Sequence, residues 1–175
     1  ALADRLPAET IDVTTPLAET TGTRVRSEDV VLVSVLRAAT PFVAGLVEVL
    51  PRARQGVLSA SRDESRRRED GTFPVEVGYV KLPDVDDDTV VVADPMLGTG
   101  STMSAALEAV TAAGDPEQVL ALAAVSAPAG VERVHEEFPE VEVATVAVDD
   151  HLDEDGYIVP GLGDAGDRAF GTEEE

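Results

Sequence analysis

A chain of 175 residues is long enough to fold as one domain with a substantial buried core. Its 13 Lys and Arg residues face 35 Asp and Glu residues, and the net charge of −22 excludes a broad nucleic-acid-binding surface, which has to be positive. Cysteine is absent, which excludes disulfides and thiolate chemistry, and neither a run of ~20 apolar residues nor a signal-peptide pattern is present, so a cytoplasmic location is expected.

The first predicted strand covers Val30–Leu36, an apolar and largely β-branched run that is too short for a helix. Such runs are typical of strands buried on both faces of a parallel sheet. Thr40 as the N-cap and Pro41 at the first helical position predict a helix that continues to about Leu50. A second short apolar strand is predicted over Gln55–Ala60.

An insertion at about 61–88 interrupts this pattern. Residues 61–74 are polar and rich in arginine, so the chain is expected to leave the core there. The alternating stretch Val75–Val80 predicts one arm of a hairpin, with the other arm in the arginine-rich stretch or just beyond it. Leu82–Asp88 is predicted to form a polar turn.

The second half of the chain alternates strands with helices. The predicted strands are Val90–Ala93, Val119–Val125 and Val141–Val148, and the predicted helices are Ser101–Ala113 and Gly130–Phe138. This order predicts an α/β fold with a doubly wound parallel sheet, which binds ligands at the carboxyl ends of its strands. The glycine-rich tail at 151–172 contains enough apolar residues to be an ordered loop. We expect residues 1–175 to form a single domain.

The segment 94–102, with the sequence DPMLGTGST, lies between a predicted buried strand and a predicted helix. Gly98 and Gly100 allow a ligand to approach the backbone closely, and the amides that follow form a concavity at the helix N-terminus that suits a phosphate. Three hydroxyl side chains in the segment add donors. Asp94, at the strand end, is placed to accept hydrogen bonds from the two hydroxyls of a ribose.

Two common phosphate motifs do not fit this segment. A P-loop requires a lysine where Ser101 stands, and the dinucleotide fingerprint requires a small residue where Met103 stands. These mismatches exclude a P-loop ATPase and a dehydrogenase of the usual kind. A glycine-rich turn that only connects strand to helix is the structural alternative, but the preceding aspartate and the hydroxyls favour phosphate binding.

The segment DPMLGTGST resembles the phosphoribosyl pyrophosphate (PRPP) loop of type I phosphoribosyltransferases, in the single-acid form of the uracil phosphoribosyltransferase family. Further similarities follow in the family's order along the chain. VLRAA at 35–39 is similar to its pyrophosphate loop, SRDE at 61–64 and KLP at 81–83 to its hood hairpin, and GYIVPGLGDAGDRAFGT at 156–172 to its uracil-binding tail.

The resemblance implies roles for individual residues. Arg37, Arg62 and Asp94 would be catalytic, and the two arginines would bind the leaving pyrophosphate. The implied PRPP-binding residues are Arg37, Arg62, Asp94, Pro95, Met96, Leu97, Gly98, Thr99, Gly100, Ser101, Thr102 and Asp164. The implied uracil-binding residues are Ile158, Gly163, Asp164 and Ala165. Mg²⁺ would be carried mainly by the pyrophosphate, with no dedicated protein metal site, and the chain would form a homodimer or a higher homo-oligomer.

Three readings of function are compatible with these features. The first is transfer of the phosphoribosyl group from PRPP to uracil, which gives UMP and pyrophosphate in pyrimidine salvage. The second is the same transfer to another nucleobase, and the third is a nucleotide-sensing regulator that keeps the fold without turnover. The excess of carboxylates, with Lys81 as the single lysine, also indicates adaptation to high salt.

The chain departs from the family pattern at a few positions. Ala39 stands where relatives carry glycine, and a Cβ is expected to fit less well in a strained pyrophosphate loop. Gly98 replaces an alanine, and Ser101 with Thr102 replaces Gly-Ser, changes that keep the hydrogen-bond donors. Relatives also carry a further helical segment before the position where this sequence starts.

Overall fold

The structure, a computed structural model, describes residues 2–62, 66 and 74–172, with only the backbone at residue 62. Segments 63–65 and 67–73 of the predicted insertion therefore lie outside the described residues. The first half contains β1 (Ala8–Thr14), β2 (Glu19–Val25), β3 (Val30–Leu36), α1 (Ala39–Val49), β4 (Arg54–Arg62) and β5 (Val75–Lys81). The second half contains β6 (Thr89–Ala93), β7 (Met96–Leu97), α2 (Ser101–Thr111), β8 (Gln118–Ser126), α3 (Pro128–Glu137), β9 (Glu142–Val148), β10 (His151–Leu152), β11 (Ile158–Val159) and α4 (Ala165–Phe170).

A seven-stranded sheet forms the centre of the molecule. Its order is β5-β4-β3-β6-β8-β7, and β9 also pairs with β8. Every pairing is parallel except that of β4 with β5, which is antiparallel. The prediction of an α/β fold with a parallel sheet is confirmed. No helix among the described residues is long and apolar enough to cross a membrane.

Strand β3 lies in the middle of the sheet because both of its faces are apolar. Val31 and Val33 point to the core cluster that contains the inner faces of α2 and α3, and both are fully buried. Val30 and Leu32 point to the opposite cluster, which α1 covers. This alternation has the period of two that a strand imposes, and it places helices on both faces of the sheet. The carboxyl end of β3 is thereby held rigidly.

The predicted start of the first helix was wrong by two residues. Helix α1 begins at Ala39 with Ala38 at the N-cap position, and no side chain caps it. The Thr40 amide donates to the carbonyl of Arg37 at 3.1 Å. Pro41 is thus the third helical residue, where its missing N–H still costs nothing because the first amides of a helix have no partner within the helix.

Two antiparallel hairpins lie in the first half of the chain. The arm that pairs with β5 is β4 itself, which extends as far as Arg62, so the prediction of an arm within or beyond the arginine-rich stretch was largely wrong. Strands β1 and β2 form a separate antiparallel hairpin that the sequence analysis missed. Its residues are partly or fully exposed, so it lacks the long apolar run by which the core strands were recognised.

Candidate active site

A cavity of about 620 Å³ lies at the carboxyl ends of the parallel strands. The residues after β3, the loop after β6 and the tail from β10 to α4 all reach it. It is lined by Val35, Leu36, Arg37, Ala38, Ala60, Asp94, Met96, Gly98, Thr102, Asp155, Gly156, Tyr157, Ile158, Gly163, Asp164, Ala165 and Gly166. Residues from all three predicted groups, for pyrophosphate, phosphate with ribose, and base, therefore share one cavity.

Arg37 leaves the end of β3 and reaches across the cavity wall to the tail. The Leu36–Arg37 peptide bond is cis. One terminal nitrogen of the guanidinium forms an ion pair with Asp167 of α4, and the guanidinium carbon lies 5.5 Å from the centre of the Phe170 ring. The Arg37 side chain is 48% exposed, so it remains accessible to a ligand while these contacts hold it.

Ala39 does not crowd the pyrophosphate loop. It is the first residue of α1, it is fully buried, and it packs in the core cluster with Val43 and Leu32. Its φ is not in the left-handed region, since Asp87 is the non-glycine residue with positive φ among the described residues. The expected misfit of a Cβ at this position was therefore wrong.

The loop after β6 is anchored to the neighbouring strand β8. The Asp94 amide donates to the carbonyl of Leu122 at 3.0 Å, and the Ala127 amide donates to the carbonyl of Leu97 at 2.9 Å. The carbonyl of Pro95 accepts from two further amides near the end of β8. Oδ1 of Asp94 accepts from its own loop, from the Met96 amide at 3.1 Å. These contacts fix the start of the loop before any ligand binds.

The hydroxyls of the loop divide into two sets. Thr99 and Ser101 are buried, their oxygens are 3.1 Å apart, and Arg133 of α3 donates from Nη1 to the Ser101 hydroxyl at 2.9 Å. Thr102 instead lines the large cavity. A smaller depression of about 10 Å³ adjoins it, lined by Met96, Leu97, Gly98, Thr99, Gly100, Thr102 and Met103. Leu97 is 1% exposed as a whole residue and packs in the core, so its side chain is not available to a ligand.

Glycines let the loop and helix α3 pack directly together. A Cβ on Gly130, in the first turn of α3, would lie 2.4 Å from the carbonyl oxygen of Gly98 and 2.8 Å from that of Leu97. Gly100 has a φ of +81°, and its Cβ would lie 3.0 Å from Cδ of Arg133. At Gly98 the nearest atom would be 3.4 Å away, an ordinary contact. Gly98 can thus replace alanine without any steric demand, whereas Gly100 and Gly130 are required by the packing.

The tail forms a compact wall of the cavity. Strands β10 and β11 pair across a turn in which Oδ1 of Asp153 accepts from the amides of Asp155 and Tyr157, at 3.0 and 2.8 Å. Asp149 accepts from the Gly161 amide at 2.8 Å, and Ile158 is 6% exposed. The tail is therefore ordered, as predicted, and it contains a hairpin and a helix in addition to loops.

Asp164 and Asp167 connect the tail to the rest of the site. Asp164 lines the cavity and caps α4, because its Oδ1 accepts from the Asp167 amide at 2.8 Å. A hydrogen bond from the Thr172 hydroxyl, together with the Arg37 guanidinium, holds the pKa of Asp167 below its ordinary value. Sequence reasoning missed the contacts of Arg37 with Asp167 and Phe170. Arg37 and Asp167 are 130 positions apart, and no sequence pattern predicts a contact between residues that far apart.

The electrostatics of the cavity combine one described arginine with several carboxylates. Arg37 lines the cavity together with Asp94, Asp155 and Asp164. The Arg62 side chain is outside the described residues, although its backbone ends β4. The described residues contain no cluster of three or more His, Asp or Glu side chains that could hold a metal ion. An anionic ligand would depend on the arginine and on backbone amides.

Comparison with solved structures identifies the fold. A hypoxanthine phosphoribosyltransferase from Staphylococcus aureus aligns with a TM-score of 0.50 at 11% identity, covering 70% of this chain and 63% of that chain, a likeness of fold alone. The fold is thus that of the type I phosphoribosyltransferases. The AQ2163 protein from Aquifex aeolicus is far more similar, with a TM-score of 0.81 and 35% identity over 96% of this chain and 77% of that chain.

Sequence comparison identifies the family to which the chain belongs. The profile of the family described as uracil phosphoribosyltransferase matches residues 1–172, and the chain belongs to this family. A protein named uracil phosphoribosyltransferase from Natronomonas pharaonis is 64% identical over 170 residues, which are 95% of this chain and 76% of that protein. Its source is a halophilic archaeon, in agreement with the acid-rich composition.

Proposed function

We propose that this protein transfers the phosphoribosyl group from PRPP to uracil in this cavity and releases pyrophosphate. The observation that carries the proposal is the convergence of Arg37, the loop after β6 and the glycine-rich tail on one cavity of about 620 Å³. The volume falls in the range that small-molecule sites occupy, roughly 300–1,000 Å³. Because the three groups serve different parts of the two substrates, one cavity can bring C1 of the ribose to the base.

The sugar phosphate would bind along the loop after β6. Its 5-phosphate would lie at the N-terminus of α2, where the helix dipole and the amides of the first turn favour an anion. Asp94 would accept from the ribose hydroxyls, and the backbones of Pro95 and Leu97 would serve as part of the same loop. Thr99, Gly100 and Ser101 would support the phosphate site from its buried side, and Thr102 would be closest to the ligand.

The pyrophosphate would bind Arg37, and Arg62 would reach it from the hood strand β4. An arginine fork matches the geometry of phosphate oxygens, which makes the guanidinium a suitable partner for this leaving group. We propose that Mg²⁺ arrives with the pyrophosphate as part of the substrate, since this hard cation bridges phosphate oxygens while it keeps most of its waters.

Uracil would bind to the tail, at Ile158 and at the backbone of Gly163, Asp164 and Ala165. A carbonyl can accept from the ring N3–H, and amides can donate to the ring oxygens. Cytosine reverses two of these pairings, because it has an acceptor at N3 and an amine at C4. A buried polar group left unpaired in this way costs enough to reject the wrong base.

The reaction needs positioning and charge stabilisation more than covalent chemistry. The bond from C1 to the pyrophosphate oxygen breaks with its electron pair going to that oxygen, the bond from uracil N1 to C1 forms, and the N1 proton passes to water. The transition state resembles an oxocarbenium ion, with negative charge gathering on pyrophosphate next to Arg37. Positive charges that are already in place to stabilise this negative charge supply most of the rate acceleration.

We also propose that the chain forms at least a homodimer. The β1–β2 hairpin supports this, because none of its described residues is buried and Leu17 at its tip is 96% exposed. A two-stranded hairpin is marginally stable in water unless it packs against something, and a second copy of the chain would supply that surface. A cytoplasmic location also remains a prediction.

The decisive experiment is an assay of product formation in molar KCl with Mg²⁺. Uracil, hypoxanthine, guanine and orotate are each offered with PRPP, and UMP with pyrophosphate is expected from uracil alone. Product from another base and not from uracil would replace the proposal by the second reading. Binding of UMP without turnover of any base would support the regulator.

A further inference from the structure

Arg37 has two partners on the tail, whereas the family resemblance implied a single PRPP-binding residue there, Asp164. The ion pair with Asp167 holds one terminal nitrogen of the guanidinium, and the Phe170 ring supports the guanidinium at 5.5 Å. Both partners belong to α4, which directly follows the residues proposed to bind the base. The two proposed subsites are therefore physically joined.

Asp167 is itself held in place from both sides. Its Oδ1 accepts from the Thr172 hydroxyl at 2.7 Å, and its amide donates to Oδ1 of Asp164 at 2.8 Å. The Thr172 amide in turn donates to the carbonyl of Asp167 at 3.1 Å. A carboxylate fixed in this manner can fix its cationic partner, because neither group has to be ordered when the ligand arrives.

Gly166, the residue before Asp167, lies against the residues that follow β3. A Cβ there would lie 3.1 Å from Oδ1 of Asp164, and 3.6 Å from Nε of Arg37 and 3.7 Å from Cβ of Ala38, the last two being ordinary van der Waals contacts. Helix α4 is therefore in contact distance of the loop that carries Arg37.

We propose that Asp167 is a positioning residue for the transfer reaction, which aims the Arg37 guanidinium at the pyrophosphate. A guanidinium has five N–H donors, and the ion pair leaves donors on the remaining nitrogens for phosphate oxygens. Asp167 does not line the cavity and acts through Arg37. This inference rests on the proposed function, in which Arg37 binds the leaving group.

The test is a double-mutant cycle in the full-length chain in molar KCl. The four proteins are the wild type, D167N, R37K and the double variant. R37K keeps the charge but loses the planar fork, so its activity stays measurable. Asparagine at 167 keeps an oxygen for the Thr172 hydroxyl, which protects the fold. The readouts are kcat/KM for PRPP and, in the reverse reaction, KM for pyrophosphate against KM for UMP.

In the wild-type background, D167N should lower kcat/KM for PRPP on the order of tenfold. It should raise KM for pyrophosphate and leave KM for UMP nearly unchanged. In the R37K background the same substitution should change kcat/KM at most about twofold, because the group through which it acts has already been altered. The control is D150N, which removes an exposed carboxylate immediately before the tail and should leave all constants unchanged.

Two outcomes would contradict the inference. Equal effects of D167N in both backgrounds would show that Asp167 does not act through Arg37. An equal rise of KM for UMP and for pyrophosphate would show a general structural role. These results are separable from failure of the proposed function, because a wild-type chain that makes no UMP overturns that function before the cycle is measured.

Discussion

The loop after β6 and the tail at 151–172 meet in one cavity, but different forces hold them. The loop after β6 is bonded to β8 through its backbone and packs on α3 through Gly130, with Leu97 in the core. The tail is mostly exposed, and aspartate side chains such as Asp149 and Asp153 hold its turns. This comparison shows that the proposed sugar-phosphate site is built by packing, whereas the proposed base and pyrophosphate sites are built by polar contacts.

The largest expected effect comes from the polar side of this comparison. R37A should lower kcat/KM roughly 10²–10³-fold, because it removes a charge that meets the leaving group. The fold should remain intact, since the Arg37 side chain is half exposed. R52A is the matched control, because Arg52 is 72% exposed and lies outside the cavity lining. Near wild-type turnover by R37A would remove this arginine from the mechanism.

The next largest effect tests the loop after β6, which packs against α3. G130A should destabilise the chain by about 1–3 kcal/mol, because its Cβ meets two backbone carbonyls of the phosphate loop. It should also raise KM for PRPP, as the loop is pushed away from α3. G45A is the control, a helical glycine in α1 whose Cβ would meet nothing within 4 Å. That variant should be neutral or more stable by up to about 1 kcal/mol in chemical denaturation.

A smaller effect separates two glycines of the same loop. G100A should cost about 1–2 kcal/mol, because a Cβ is unfavourable at a φ of +81°. G98A should change stability by less than about 0.5 kcal/mol, since its Cβ makes ordinary contacts. Urea unfolding of both variants in molar KCl measures the difference. Equal costs at the two positions would contradict the geometry of the loop.

The smallest effect is a pH dependence of stability on the polar side. Because the pKa of Asp167 is lowered in the folded chain, its contacts with Thr172 and Arg37 contribute stability above the unfolded pKa of about 3.9. That contribution is lost as the pH falls through the lower folded value. The stability difference between wild type and D167N should therefore be constant from pH 5 to 8 and should shrink below about pH 4. A difference that grows in acid would contradict the assignment.

The same division decides what the sequence could predict. Buried runs such as Val30–Leu36 and the motif at 94–102 carry local patterns, so the parallel sheet and the turn between β6 and α2 were predictable. The hairpin β1–β2 has few apolar residues and no long apolar run, and it was missed. The ion pair of Arg37 with Asp167 and the contact of Gly130 with the loop join distant parts of the chain. Such contacts follow from the three-dimensional path of the chain and leave no local pattern.

A structure of the chain with UMP bound tests the central claim most directly. The account predicts the 5-phosphate within hydrogen-bond distance of the amides from Gly98 to Thr102, and the uracil ring against Ile158 and the backbone of 163–165. The ribose hydroxyls should meet Asp94. A nucleotide whose phosphate lies away from this loop, or whose base lies away from the tail, would contradict the account.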